Sequence, residues 1–375
     1  MTRYVSCIVA LLLAVSGGGY LSAAEIETLA LGEPAPPFTL PGVDGRDYSL
    51  SDFVDAEVLV VVFTCNHCPT AQAYEGRIKA LAADYTNRGV ALVAISPNDP
   101  KALRLDELGY TDLSDSFEEM KIRAREHEFN FPYLYDGDSQ EVSMAYGPVA
   151  TPHVFIFDRE RKLRYVGRVD DAENPERVTS RDARNAIEAL LEGKPVPVRS
   201  TKTFGCSIKW ADKRPSVDRA LERWAQEEVS LRRIERDGLE KVIQNNTDNL
   251  RLINVWATWC GPCVAEIPEL VDINRMYRNR NFEMVTISAD DPGKYDQALT
   301  FLQKQEASTT NYLFQSPDKY ALIESVDSEW AGNLPYTMLV KPGGEVLFRH
   351  AGIIDPLEVK QAIIGYLGRY YFSNQ

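Results

Sequence analysis

Trp256-Ala257-Thr258-Trp259-Cys260-Gly261-Pro262-Cys263-Val264-Ala265-Glu266-Ile267-Pro268 follows directly on the apolar run Leu250-Arg251-Leu252-Ile253-Asn254-Val255. An apolar run ending in an aromatic residue, then Cys-x-x-Cys, then a helical pattern, predicts a strand that delivers a thiol to a helix N-terminus. The positive end of the helix dipole and its unpaired N–H groups stabilise a thiolate there. On this reading Cys260 is the attacking sulfur of lowered pKa, and Cys263, one turn further in, is its buried resolving partner. Glu266 shares a helix face with Cys263 and is placed to take or give the resolving thiol's proton. Pro268 falls inside the helical pattern and should kink it. Zinc is the rival reading of a Cys-x-x-Cys, but a tetrahedral site needs two further Cys or His ligands and no second pair lies nearby. No metal is expected.

The chain has 375 residues, enough for two domains of ordinary size, with 44% hydrophobic and 26% charged residues, which are globular values. A net charge of −14 argues against nucleic acid or an anionic membrane surface as a partner. Arg3, the apolar stretch Val5 to Val15 and the small residues Ser22-Ala23-Ala24 read as a secretory signal cleaved after Ala24, which would also remove Cys7. The expected location is therefore periplasmic or secreted, with an uncleaved anchor as the alternative. In such an oxidising compartment Cys65, Cys68, Cys206, Cys260 and Cys263 remain. Close pairs staple only short loops and restrict the unfolded chain little, so reactivity is the better reason for them.

The first half repeats the order of the second. Val58 to Phe63 is a β-branched run suited to a strand buried on both faces, Thr64-Cys65-Asn66-His67-Cys68-Pro69 follows, and Thr70 to Tyr85 is helical. By analogy Cys65 is expected to attack and Cys68 to resolve, with the His67 imidazole stabilising the Cys65 thiolate. Val90 to Ser96 reads as a strand, Ser116 to Glu128 as a helix, and His153 to Asp158 with Leu163 to Val169 as a hairpin. Ser180 to Leu191 closes the unit as a helix, and Gly193-Lys194-Pro195-Val196-Pro197-Val198 leaves it as a stiff exit. Cys206, in Phe204-Gly205-Cys206-Ser207-Ile208-Lys209, is either a further redox thiol or a packed small hydrophobe. Arg214 to Val229 carries Val217, Leu221, Trp224 and Ala225 at helical spacing, a packing helix between domains. Later, Phe282 to Ser288 is a strand, Tyr336 to Val340 and Val346 to His350 a hairpin, and Pro356 to Tyr370 a closing helix. Asp290-Asp291 reads as a solvated acidic pair. The fold class is α/β.

Trp259, Cys260, Pro262, Cys263, Glu266 and Pro268 match the Trp-Cys-x-Pro-Cys-x-x-Glu-x-Pro pattern of the TlpA/ResA-type reductases, and Ser230 to Tyr371 resembles that branch of the thioredoxin superfamily. Asn254 stands where cytosolic thioredoxins keep a buried Asp, which leaves Glu266 as the remaining acid. Gly32-Glu33-Pro34-Ala35-Pro36-Pro37-Phe38-Thr39-Leu40 resembles the opening of peroxiredoxin and redoxin domains of AhpC/TSA type, and the stretch around Cys206 resembles a Gly-Cys-x-Ile-Lys tail found on some of them. The resemblance implies two thioredoxin-like domains, each a central mixed sheet flanked by helices. It also implies cis prolines at Thr151-Pro152 and Leu334-Pro335, facing the active-site sulfurs and binding substrate peptide. Aligning Cys68 with the peroxidatic Cys of Pro-x-x-x-Thr-x-x-Cys puts Val61 at the Pro and Cys65 at the Thr, so the signature is broken and peroxidase activity is expected to be weak. A His between the cysteines, as in bacterial disulfide-forming oxidases, implies a more oxidising first site.

The expectation is a signal at 1–24, a redoxin-like domain at 25–210 and a TlpA/ResA-like domain at 211–375. The activity expected is thiol–disulfide exchange through mixed disulfides. Its partners would be protein thiols or disulfides and a membrane or periplasmic thiol electron donor, with no organic cofactor. Electrons could pass from Cys260/Cys263 to Cys65/Cys68, with Cys206 an intermediate, wherever the linker lets the sites meet. The alternatives are a thiol-dependent peroxidase in the first domain, or a binding module with one active domain.

Overall fold

The computed structural model describes residues 26–316 and 318–371. The signal reading, with Arg3, Cys7 and Ala24, lies outside the described residues.

A small hairpin of β1 (Thr39–Pro41) and β2 (Asp47–Ser49) precedes the first large sheet. That sheet holds β3 (Val58–Phe63), β4 (Val90–Ser96), β5 (Tyr133–Tyr135), β6 (His153–Phe157) and β7 (Leu163–Gly167), in the order β5-β4-β3-β6-β7. β3 is parallel to β4 and antiparallel to β6. All of β3 is buried, and its residues alternate between two apolar layers. Val58, Val60 and Val62 pack with Tyr74, Ile78 and Ile187, whereas Leu59, Val61 and Phe63 pack with Phe38 and Tyr146. The flanking helices are α1 (Pro69–Tyr85), α2 (Phe117–Glu126), α3 (Glu141–Tyr146) and α4 (Asp182–Leu191).

After α4 the chain does not leave this sheet. Ser200 bridges to Val166 in parallel and Cys206 bridges to Thr151 in antiparallel fashion, so residues 200–206 lie as a strap along its edge. Next comes α5 (Arg214–Ala225), which touches both halves. Arg214 Nε lies 2.5 Å from Asp99 Oδ2, and the guanidinium groups of Arg275 and Arg278 sit 5.3 and 5.7 Å over the buried Trp224 ring. The expected packing helix is therefore seen at Arg214–Ala225, ending before Val229.

The second sheet contains β8 (Arg232–Ile234), β9 (Leu250–Trp256), β10 (Phe282–Ser288), β11 (Thr310–Phe314), β12 (Tyr336–Val340) and β13 (Val346–Ala351), in the order β13-β12-β9-β10-β11-β8. Its helices are α6 (Arg236–Gln244), α7 (Gly261–Tyr277), α8 (Tyr295–Lys304), α9 (Lys319–Val326) and α10 (Pro356–Leu367). β9 again divides between layers: Leu250, Leu252 and Trp256 pack towards Ile267 and Leu270 of α7, and Ile253 and Val255 towards Leu322 and Met338.

The two halves meet at the C-terminal end of α7. Leu103 and Leu108 join the same apolar cluster as Ile273 and Met276. Tyr277 donates its hydroxyl to Thr111 O at 2.7 Å, and Arg280 donates to Gly109 O at 2.9 Å while lying 4.0 Å over the Tyr110 ring. Arg369 clamps the Asp112 carboxylate at 2.5 and 2.8 Å.

Candidate active site

In the second half, β9 ends at Trp256 and α7 begins at Gly261, so Cys260 is the N-cap and its sulfur accepts the Cys263 N–H at 3.2 Å. Cys260 and Cys263 form a disulfide, and the preceding Trp259 is 61% exposed. The loop is held from beneath by Asp290, which accepts the Thr258 N–H, the Thr258 hydroxyl at 2.7 Å and the Ser288 hydroxyl at 2.8 Å. Asp290 is buried, so the solvated reading of Asp290-Asp291 is wrong for Asp290. Its carboxylate satisfies polar groups of the active-site loop that would otherwise be orphaned. Glu266 is also buried and accepts from Asn254 Nδ2 at 2.9 Å, Thr337 Oγ1 at 3.3 Å and the Ile354 N–H at 2.8 Å. Burial raises its pKa against the lowering effect of those donors. Leu334-Pro335 is a cis bond immediately before β12.

The first half has a different register. α1 begins at Pro69, so the N-cap is Cys68, whose sulfur accepts the Ala71 N–H at 3.4 Å. Cys68 thus holds the place of Cys260, and Ala71 the place of Cys263. Cys65 lies in the loop three residues before the cap, with its sulfur 3.1 Å from Thr151 Oγ1. Cys68 Sγ lies 3.4 Å from Thr151 O, and Thr151-Pro152 is cis. The Cys206 N–H donates to Cys68 Sγ at 3.3 Å, and Cys65, Cys68, Ala71 and Cys206 form one cluster.

This register places Cys68, rather than Cys65, at the helix N-cap. Burial pushes the Cys65 thiol well up, with further upward contributions from Cys68 and Asp115. Burial also opposes ionisation of Cys68, but hydrogen bonds from Cys206 and Cys65, the charge on His67 and the Ala71 N–H outweigh it and hold Cys68 well below the ordinary thiol range. His67 is buried. Its Nδ1 lies 2.6 Å from Asp115 Oδ2, and Asp115 raises the imidazole's pKa against the opposing effect of burial. The charge that was expected to serve Cys65 serves Cys68.

Asp115 also accepts the backbone N–H groups of Asn66 and His67 at 2.8 and 3.0 Å and Asn98 Nδ2 at 2.7 Å. Cys65, His67 and Asp115 present potential ligand atoms within 4.8 Å of one another. Four donors already occupy Asp115, so the trio is better suited to holding an imidazolium than a metal ion.

The AhpC/TSA family model matches residues 31–166 and the Redoxin family model matches residues 227–361. This chain is a tandem of two thioredoxin-superfamily units. Among curated relatives, the thiol-disulfide oxidoreductase ResA of Oceanobacillus iheyensis is 31% identical over 110 residues, covering 28% of this chain and 53% of that protein. The ResA of Geobacillus thermodenitrificans is 25% identical over 170 residues, covering 44% and 86%. This chain therefore spans only about half the length of the first of these relatives. A solved structure of a hypothetical protein from Sinorhizobium meliloti 1021 is 37% identical, covering 49% of this chain and 97% of that one, with a TM-score of 0.44.

In the first unit the cis Thr151-Pro152 bond lies beside Cys65 and Cys68 at the N-terminus of α1. Asp115, Asn98 and Asp290 hold the cysteine-bearing loops, roles that sequence reasoning missed. Asp115 lies 48 residues from His67, and no local pattern links them. The Ser288-x-Asp290 turn on the strand beside β9 was the available signal for Asp290.

Proposed function

We propose that this tandem thioredoxin-superfamily chain is an extracytoplasmic thiol–disulfide oxidoreductase with one exchange centre at Cys260/Cys263 and another around Cys68. The observation that carries the reading is the repeated placement of a cysteine sulfur as N-cap of a helix, accepting a backbone N–H in both units. That position favours the thiolate, the species that attacks or leaves in disulfide exchange. The sulfurs themselves carry the electrons, so the reaction needs no organic cofactor. Protein thiols or disulfides are the proposed substrates. Leu334 and Pro335, joined by a cis bond immediately before β12, are the proposed peptide-binding edge of the second unit. The signal-like residues Arg3 to Ala24 support the location, and the division between units is placed at Trp210/Ala211. Trapping tests the reading: Cys263→Ser should accumulate mixed disulfides on Cys260 with extracytoplasmic proteins, and a trap that captures none would refute it.

The lowered pKa of Cys68 favours a second activity in the first unit, slow thiol-dependent peroxide reduction. Peroxide turnover that persists in Cys68→Ser would exclude it.

A further inference from the structure

We propose that Cys206 is the exchange partner of Cys68, so that the first unit turns over through a Cys68–Cys206 disulfide rather than a Cys65–Cys68 one. The inference rests on the reading of this unit as an exchange centre and names the sulfur pair that performs it.

Position within the helix is the first argument. In the second unit the resolving sulfur sits three residues inside the helix, at Cys263, whose N–H points at the N-cap sulfur. The equivalent place in the first unit is Ala71, so α1 supplies no resolving thiol. The partner of Cys68 has to come from elsewhere.

The strap supplies one. Thr151 N–H donates to Cys206 O at 3.0 Å, and Cys206 N–H donates to Cys68 Sγ at 3.3 Å. Cys206 is thus pinned by its own backbone across the sulfur it would join. Gly205 makes the approach feasible: a Cβ there would lie 1.9 Å from Thr151 O, and its φ of +141° suits glycine. The strap also fills the Thr151 edge, so an incoming peptide cannot pair there while it is in place.

Access is the third argument. Cys65 and Cys68 are 2% and 0% exposed, whereas Cys206 is partly exposed. It lines a cavity of about 220 Å³ between the units, with His67, Lys209, Met276, Arg280 and Tyr371. A substrate thiolate entering this cavity reaches the Cys206 sulfur first. Attack there forms a substrate–Cys206 disulfide and expels Cys68 as a thiolate, the best leaving group of the three because its pKa is lowest. A second substrate thiolate then attacks the substrate's sulfur, releasing Cys206, which takes up a proton. Two substrate thiols become one disulfide, and two electrons reside on Cys68 and Cys206. Exchange with a more oxidising disulfide reverses the steps and restores the pair.

Peptide mapping tests this on the full chain carrying Cys260→Ser and Cys263→Ser. After oxidation with glutathione disulfide and alkylation at low pH, trypsin releases Asp47–Arg77, which holds both Cys65 and Cys68, and Thr203–Lys209, which holds Cys206. The expected result is these two peptides joined by a disulfide, still joined in Cys65→Ser and separate in Cys68→Ser. Cys206→Ser should also slow oxidation of a dithiol peptide by about tenfold or more, since its accessible sulfur is gone. An internal disulfide within Asp47–Arg77, with Cys206 alkylated and peptide oxidation intact, would overturn the inference and leave the exchange reading standing. All three thiols alkylated, with no peptide oxidised, would remove the exchange reading for this unit as well.

Discussion

Two buried ionisable residues, one in each unit, have raised pKa values with opposite consequences for their charge. His67 has its pKa raised by Asp115, so its charged form persists above the ordinary imidazole value of ~6.5. Its support for the Cys68 thiolate, like its contribution to folding, is complete below that value and is lost as pH rises through the raised one. His67→Asn should therefore slow first-unit exchange roughly tenfold, the factor that about 1.4 kcal/mol of lost stabilisation produces, and flatten its decline at alkaline pH. Rates measured across the pH range in a Cys260→Ser/Cys263→Ser chain check this, and an unchanged profile would assign the support to Cys206 and Ala71 alone. Glu266 has its pKa raised by burial, so its ionised form costs stability as pH rises through that value. Glu266→Gln keeps an oxygen for Asn254 and Thr337 but turns an N–H₂ towards the Ile354 N–H. The orphaned donor should cost about 1–3 kcal/mol in chemical denaturation. Reduction of the Cys260–Cys263 disulfide should also become slower near neutral pH. An unchanged rate would mean another group moves the proton.

Both sites read Cys-x-x-Cys, yet their helices start at different points relative to the pair. The signal was present in the proline positions. Pro69 directly follows Cys68, and proline favours the first helical position, which makes Cys68 the cap, whereas Pro262 sits one place later behind Gly261. Matching the cysteine spacing alone obscured this. The long buried strands were legible because β3 and β9 are continuous apolar runs. β5 and β8, of three residues each, are too short to show any period. The strap was legible as a glycine and a cysteine but not as an edge, because its partner, Thr151, is remote in sequence. Gly205→Ala should push residues 203–207 off that edge, since the added carbon cannot lie 1.9 Å from Thr151 O. Alkylation of Cys68 in the reduced chain should then accelerate by about tenfold or more, as expected when local opening replaces burial. No acceleration would mean that the strap does not shield the sulfur.

At the scale of the whole chain, the seam between the units depends on Arg369 and Asp112, which lie 257 residues apart, beyond any pattern the sequence could display. Burial opposes ionisation of Asp112, but Arg369 and Arg123 keep its pKa depressed. Arg369→Met leaves Asp112 with Arg123 at 3.8 Å and should destabilise the chain by on the order of 3 kcal/mol at neutral pH. A depressed carboxylate contributes above its unfolded pKa of ~3.9 and loses that contribution as pH falls through the folded value, so wild type and variant should converge in acid. Denaturation curves at two pH values decide this, and a gap that widens in acid would refute it. The same seam fixes how far apart the sulfurs lie. Cys260 caps the N-terminus of α7, while Met276, sixteen residues on, lines the cavity that holds Cys206. At 1.5 Å per residue that is ~24 Å of helix, and disulfide exchange requires sulfurs in contact. The direct passage of electrons between the pairs is therefore closed in this arrangement, so α7 works as an insulator. One molecule can hold a charged and a spent centre side by side without short-circuiting. Levelling between them must then run from one molecule to another, at a rate that climbs with protein concentration.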